Sequence, residues 1–363
     1  MLRLLPLLLI ALGSHAAAAV VVTRSGEVYQ GDIQWSKGAW QLAGQTVPLA
    51  AVQELRMDPG AVALATVNRV HLGDGTVLTG EIAARSGMDE IIVTRSDGEV
   101  SFPGGEVAAI TLGVLDAGAT TATPPDAPYV MLREGRVVAG EIEYMTAFQV
   151  GVGSAAGRLR LDRDTIYRVV LRQGAAGPTG PVVRSNLGDV IPGSITAVQG
   201  EDLVITRTNG TQLQLGLASL VSVSGGGRDL SSEQPSSVST QAFFSDVHAP
   251  VFGRGLFGEG TCAGLPCDQV IGVNSRTELQ YRVDGGTLVV TLGLDRTRTD
   301  RGHAEFVVLM DGREVARVAC SGSDEASSIA VPLSSGTLSL VFDYGKHGSA
   351  GDHGMWAWPV VVR

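Results

Sequence analysis

Gly26-Glu27-Val28-Tyr29-Gln30-Gly31-Asp32-Ile33 is the first of four occurrences of one phrase, Gly-x-Val-x-x-Gly-x-Ile. It returns at Gly75-Thr76-Val77-Leu78-Thr79-Gly80-Glu81-Ile82 and at Gly135-Arg136-Val137-Val138-Ala139-Gly140-Glu141-Ile142. The fourth is Gly188-Asp189-Val190-Ile191-Pro192-Gly193-Ser194-Ile195. Self-similarity with a spacing of about 50 to 60 residues marks a repeated structural unit. An alternating run precedes each phrase, as in Val67-Asn68-Arg69-Val70-His71-Leu72, and a second apolar run such as Leu203-Val204-Ile205-Thr206 follows. Each unit closes on two apolar residues three apart: Val52 and Leu55, Val107 and Ile110, Ile166 and Val169, Leu220 and Val223.

The phrase has a physical reading. Its first glycine supplies the positive φ of a turn, as in Gly73-Asp74-Gly75. Its second falls inside a strand, where glycine is costly and signals a bulge or sharp bend. Short strands bent in this way are expected to curl and close their own edges. The unit resembles the small SH3/Sm-type barrel module repeated in exported bacterial proteins, over about residues 20 to 224. The expected units are 20–58, 62–116, 129–173 and 181–224, with a flexible Pro/Ala/Thr linker at 117–128, a shorter linker at 174–181 and a third at 225–240 that separates the repeats from the C-terminal region.

Composition narrows the function classes. With 27 Lys+Arg against 37 Asp+Glu, the net charge is -10. No basic cluster offers an electrostatic footprint for nucleic acid or an anionic membrane surface. Polyanionic ligands are disfavoured and neutral ones are not. The 48 glycines lie between apolar runs and read as turns of an all-β chain. Residues 1–19 carry one positive charge at Arg3, a short apolar run from Leu4 to Leu12, and small residues at Ser14-His15-Ala16-Ala17-Ala18-Ala19. That pattern is a secretory signal peptide, too short for a membrane span, with the mature chain beginning near Val20. The protein is therefore expected to be secreted or periplasmic, without a transmembrane span.

After residue 240 the phrase does not recur and the strands lengthen: Leu279–Val283, Gly286–Leu294, Ala304–Met310, Ile329–Leu333 and Thr337–Asp343. Asp311-Gly312 is a hairpin signal. About 120 residues of alternating pattern without a helical period read as a two-sheet sandwich. Three phrases here resemble the NPCBM domain, the carbohydrate-binding module type associated with glycosyl hydrolase family 98. They are Ile271-Gly272-Val273-Asn274 running on to Tyr281 and Val283, then Leu292-Gly293-Leu294-Asp295 with Ala304 to Gly312, and last Asp343 through Gly351-Asp352-His353-Gly354-Met355-Trp356-Ala357. Asn274 stands where the family pattern has His, Thr277 where it has Ser, and Trp358 where an Asp is usual. The resemblance covers 241–363. It implies a galactose-binding-like jelly-roll β-sandwich and non-catalytic binding of a neutral glycan.

The candidate ligand contacts are Asn274, Asp295, Asp343, Asp352, His353, Trp356 and Trp358. Carboxylates, amide and imidazole suit sugar hydroxyls, and Asp with backbone carbonyls also suits calcium. No other cofactor is expected. Trp356 and Trp358 alternate on one strand, so period two places both on one face, where an exposed pair would stack on a pyranose. Core packing is the competing fate of Trp356, and a capping role in the last loop that of Asp352 and His353. No nucleophile elbow, zinc motif or phosphate loop is present, so an enzyme is not expected. The alternative to sugar binding is a structural or protein-contact protein of the cell envelope, whose partner is another envelope protein. Of three cysteines, Cys262 and Cys267 bracket a tight loop and are expected to form a disulfide, leaving Cys320 as a buried thiol, with Cys262–Cys320 and Cys267–Cys320 as the alternative pairs.

Overall fold

The first glycine of each phrase does what the sequence requires of it. In the computed structural model, Gly26, Gly75, Gly135 and Gly188 have φ of 84°, 88°, 91° and 90°. The second glycine answers to space in units two, three and four, whereas at Gly31 in the first nothing stands nearer than 3.8 Å. A Cβ on Gly80, Gly140 or Gly193 would stand 2.6, 2.5 or 2.3 Å from a backbone oxygen of the facing strand. The chain bends there, and in the second and third units the strand is interrupted, leaving Val77–Thr79 beside Glu81–Arg85 and Val137–Ala139 beside Glu141–Met145.

The structure describes residues 17–36, 38–58, 68–116, 122–126, 128–174, 180–241, 248–253, 261–262, 265–266, 269–295, 302–324, 326–345, 348 and 352–363. Among these the fold is all-β, with antiparallel pairing, short 3-10 turns and no α-helix. No helix among them is long and apolar enough to cross a membrane. The disulfide expected at Cys262 and Cys267 lies outside the described residues, as does half of the first linker.

One element order recurs four times. In the first unit it is Ala17–Thr23, Val28–Ser36, Ala39–Leu42, Gln45–Pro48, the 3-10 turn Leu49–Ala51 and Val52–Met57. The units do not close their own edges as expected. Ile110 lies opposite Val169, pairing the last strands of units two and three. Val223 lies opposite Leu55, pairing those of units four and one. Val77 opposite Val190 then joins the two pairs, giving the spatial order three, two, four, one. A last strand left open would expose a row of unpaired amides and carbonyls, and pairing between units satisfies them. Val70, Val130, Val183 and Val21 share one continuous apolar core.

Ion pairs made by two equivalent arginines cross the central junction. Arg95 and Arg207 occupy the same place in units two and four, each with a side chain 3% exposed. Arg95 reaches Asp189 at 3.0 Å, and Arg207 reaches Asp74 at 2.7 Å. Asp189 also accepts from the Thr79 backbone N–H at 2.9 Å. Unit three carries Ser154 at the arginine's place.

The C-terminal region folds into a sandwich on one hydrogen-bonded path: Val251–Phe252, Val270–Asn274, His303–Met310 and their neighbours meet through Thr277–Leu294, Ser327–Tyr344 and His353–Val362. The sequence suggested separate strands where Thr277–Leu294 and Ser327–Tyr344 run unbroken. Gly285-Gly286 and Gly336 are bends within them rather than turns between strands, with φ of 91°, 113° and 157°. Asp311 and Gly312 form the expected hairpin, both at positive φ. Phe306 packs edge-on against Trp356, with centroids 5.0 Å apart, at the centre of the core, where Cys320 is also buried.

Residues 225–240, expected as a linker, carry two short paired strands. Arg228–Asp229 pairs with Val360 and Val361, and Ser237–Thr240 pairs along Thr277–Gln280. Asp229 caps the intervening turn by accepting from the Ser231 N–H at 2.8 Å. Leu230 is fully buried in the sandwich core, and its carbonyl accepts the Tyr281 hydroxyl. A Gly/Ser-rich composition hides a segment that completes two sheet edges.

The sandwich is seated on the units. Val20 and Val22 pack against Val289, Val360 and Val362. Val221 packs against Val270, Met355, Ala357 and Trp358. The Ser328 N–H donates to Asp58 at 2.9 Å.

Candidate functional site

The polar residues picked from the motifs meet at one end of the sandwich, because the strands carrying them start or stop there. Val270–Asn274 ends beside the start of His353–Val362, with Asn274 directly opposite His353. Thr277–Leu294 runs out at Asp295, whose N–H donates to the His353 carbonyl at 2.7 Å. His303–Met310 begins here and Ser327–Tyr344 finishes here, with Glu305 opposite Asp343.

Asp352 is the strut of this end. It is fully buried, yet one oxygen accepts the His303 backbone N–H at 3.0 Å and the other the Ser275 hydroxyl at 3.2 Å. A buried carboxylate is tolerable only with such donors. They tie the starts of three strands to one side chain. Asp295 is buried as well. Asn274, His303, Asp343, Tyr344 and His353 are half-buried and Arg276 is 3.8 Å from Asp343. The Asn274 Oδ1 accepts from the Ser275 N–H at 3.0 Å, and Asp343 accepts from the Tyr344 N–H at 2.8 Å. Tyr344 donates its hydroxyl to the Gln241 carbonyl at 2.6 Å. Asn274, Asp295, Asp343, Asp352 and His353 are thus brought together. Among the described residues, no three His, Cys, Asp or Glu side chains converge as a metal site.

The two tryptophans are elsewhere. Trp356 is fully buried in the sandwich core and offers no ring face, so core packing is its fate. Trp358 does not share its face. Val289 lies opposite Val360 and Thr291 opposite Ala357, so Trp358 and Pro359 form a bulge facing Val290 alone. With a φ of 49° at Trp358, the alternation breaks and the ring turns outward onto the units. It is 2% exposed, and both Arg56 and Arg184 hold their guanidinium carbons 5.5 Å from its centroid. Arg56 in turn pairs with the fully buried Glu54 at 2.6 Å. Burial pushes the Glu54 carboxyl up, against the opposing pull of Arg56, Ser224 and Arg184. Neither indole is placed to stack on a sugar.

Sequence reading missed Ser275, Arg276, His303 and Tyr344. The first two and the last adjoin Asn274 and Asp343 in the chain, so a wider window around each motif finds them. His303 has no such signal. Only the register, with Ala304 opposite Tyr344, brings it in. The tightness of this corner shows at Gly345, where a Cβ would stand 1.8 Å from the His303 carbonyl oxygen.

No curated protein matches the chain. Among solved structures, it is similar to the CBM51 from Clostridium perfringens GH95 in complex with methyl-galactose, at 20% identity over 38% of this chain and 100% of that one, with a TM-score of 0.33. It is also similar to the CBM51-2 and INT domains of Clostridium perfringens ZmpB in complex with GlcNAc, at 15% identity, 58% of this chain, 42% of that one and a TM-score of 0.33. A third is the pair of tandem CBM51 modules of Sp3GH98, a family 98 glycoside hydrolase from Streptococcus pneumoniae, at 10% identity, 81% of this chain, 88% of that one and a TM-score of 0.32. The C-terminal region of the chain, residues 266–362, carrying the three motifs and the polar end they build, matches the family model of the NPCBM/NEW2 domain.

Proposed function

We propose that the protein is an exported, non-catalytic carbohydrate-binding protein. The polar end of the sandwich contacts a neutral glycan, and the four small barrel units present it. The observation that carries this reading is the Asp352 strut. It fixes the chain around Ser275 and His303, so the half-buried Asn274, His303, Asp343 and His353 form a set of donors and acceptors ordered before any ligand arrives. Preordered polar groups lower the entropy cost of gripping hydroxyls. The net charge of -10 favours a neutral ligand over an anionic one. Both oxygens of Asp352 are committed to structural donors, which suits a binding role better than acid–base work. The match of 266–362 to a carbohydrate-binding family model supports the same reading. Screening the full chain on an array of neutral glycans is the test, with binding of at least one glycan expected and no binding by folded protein overturning it.

A further inference from the structure

The surface that seats Trp358 has a counterpart at the other paired junction. Between units four and one, Arg184, Ser222, Arg56 and Val20 form a row across neighbouring strands, Arg184 and Arg56 each opposite Ser222, and Val20 opposite Arg56. Trp358 lies against the two arginines of this row, and Val360 and Val362 lie against Val20. Between units two and three the same register gives the row His71, Ala109, Val170 and Tyr129. All four line a cavity of about 500 Å³, and among the described residues its lining comes from units two to four and the segment before unit three. The sandwich that covers the first row is absent from this lining.

The second row carries His71 and Val170 where the first has Arg184 and Arg56, and its guanidinium groups come instead from Arg168 and Arg172, two residues to either side of Val170. Arg56 and Arg184 stand with one acid, Glu54. The cavity has Arg168 and Arg172 with one acid, Asp126, and Pro124 and Pro125 add apolar wall. The Arg168 Nε is buried there and, among the described residues, meets no acceptor. Apolar walls beside guanidinium groups suit a flat aromatic ring.

We propose that this cavity is a second docking seat, which takes an aromatic side chain carried on an extended segment of a partner polypeptide. The model for the occupant is the chain's own Trp358-Pro359-Val360-Val361-Val362, seated on the counterpart row. The seat lies on the barrel units, away from the polar end of the sandwich, and stands or falls independently of glycan binding.

The test titrates the full chain with a fluorescently labelled, end-blocked peptide of residues 357–363, and with the same peptide carrying Ala at the Trp358 position. Saturable anisotropy below about 1 mM is expected for the first and none for the second. In the protein, Ala109→Trp fills the cavity and Arg172→Ala trims its rim. The first should abolish binding, and the second should weaken it by about tenfold. Thermal melts establish that each variant is folded, and Arg172→Ala keeps the test decisive if Ala109→Trp is not. Absence of binding, equal binding of the two peptides, or affinity unchanged in a folded variant overturns the proposal. So does N-acetyltryptophanamide binding as tightly as the peptide, since the extended segment then contributes nothing.

Discussion

Arg56 donates to the carbonyl of Trp358 at 3.2 Å while its guanidinium carbon lies 5.5 Å from the centroid of that residue's ring. The two are 302 positions apart, one on the last strand of the first unit and one on the last strand of the sandwich. Arg184, from the fourth unit, holds the same ring and donates to Gln269 at 2.5 Å. A single indole therefore fastens the C-terminal region to two units at once.

Trp358→Ala removes a fully buried indole and two cation–π contacts, and leaves Arg56 and Arg184 buried. The expected cost is about 3–5 kcal/mol. Differential scanning calorimetry of the variant should show the sandwich and the units melting separately. A single transition at the wild-type temperature contradicts the fastening role.

The junction of units two and four rests on buried ion pairs. Asp189→Ala leaves Arg95 with only Asp97 of its own unit and takes the acceptor from the Ser185 hydroxyl and the Thr79 N–H, an expected loss of about 1–3 kcal/mol. Urea denaturation measures it. A loss within about 0.5 kcal/mol, the range of an ordinary surface change, is the contrary result.

His71 donates or accepts at Thr111, 3.0 Å away, and its imidazole is pushed down to about 3 by burial, with Arg168 and Arg69 adding to the effect. Across the cavity, Arg172 and Asp126 also face it. The unfolded chain takes up this proton near the ordinary histidine value of 6.5 and the folded chain does not. Stability from this group is full above about 6.5 and is lost as the pH falls toward 3. Urea midpoints compared between wild type and His71→Gln should show a shallower decline for the variant across that window. Parallel curves contradict it.

The first strand begins at Ala17, and Ala19 lies opposite Gly31 on one side and Met57 on the other. Cleavage before Val20 removes three residues of this strand. Ser14-His15-Ala16 offers small residues at the two positions that matter for cleavage three residues earlier, before Ala17. On the reading that the protein is exported, amino-terminal sequencing of the mature chain should begin at Ala17. A start at Val20 or beyond contradicts it.

Much of the local structure was legible in the sequence. Gly75 and Gly188 announced their turns because only a backbone without Cβ takes that φ freely. The spacing of Val107 and Ile110 marked a last strand. The order of the units was not legible. It depends on Arg95 meeting Asp189 and Arg207 meeting Asp74, pairs that appear only when two registers are laid together. Period two put Trp356 and Trp358 on one face, and a two-residue bulge with one left-handed residue undid it. The polar end followed from Asn274, Asp352 and His353 because each sits where a strand begins or ends. His303 did not, since its role rests on a backbone N–H that carries no residue signature.

The most direct test of glycan recognition is isothermal titration of the full chain with the neutral saccharide that scores highest on an array, alongside Asn274→Ala and Asp343→Ala. Saturable binding is predicted for the wild type, weakened about tenfold or more in each variant, the order of one or two lost hydroxyl contacts, with melting temperatures unchanged. Equal affinity in wild type and both folded variants, or no neutral saccharide bound by the wild type, contradicts the account.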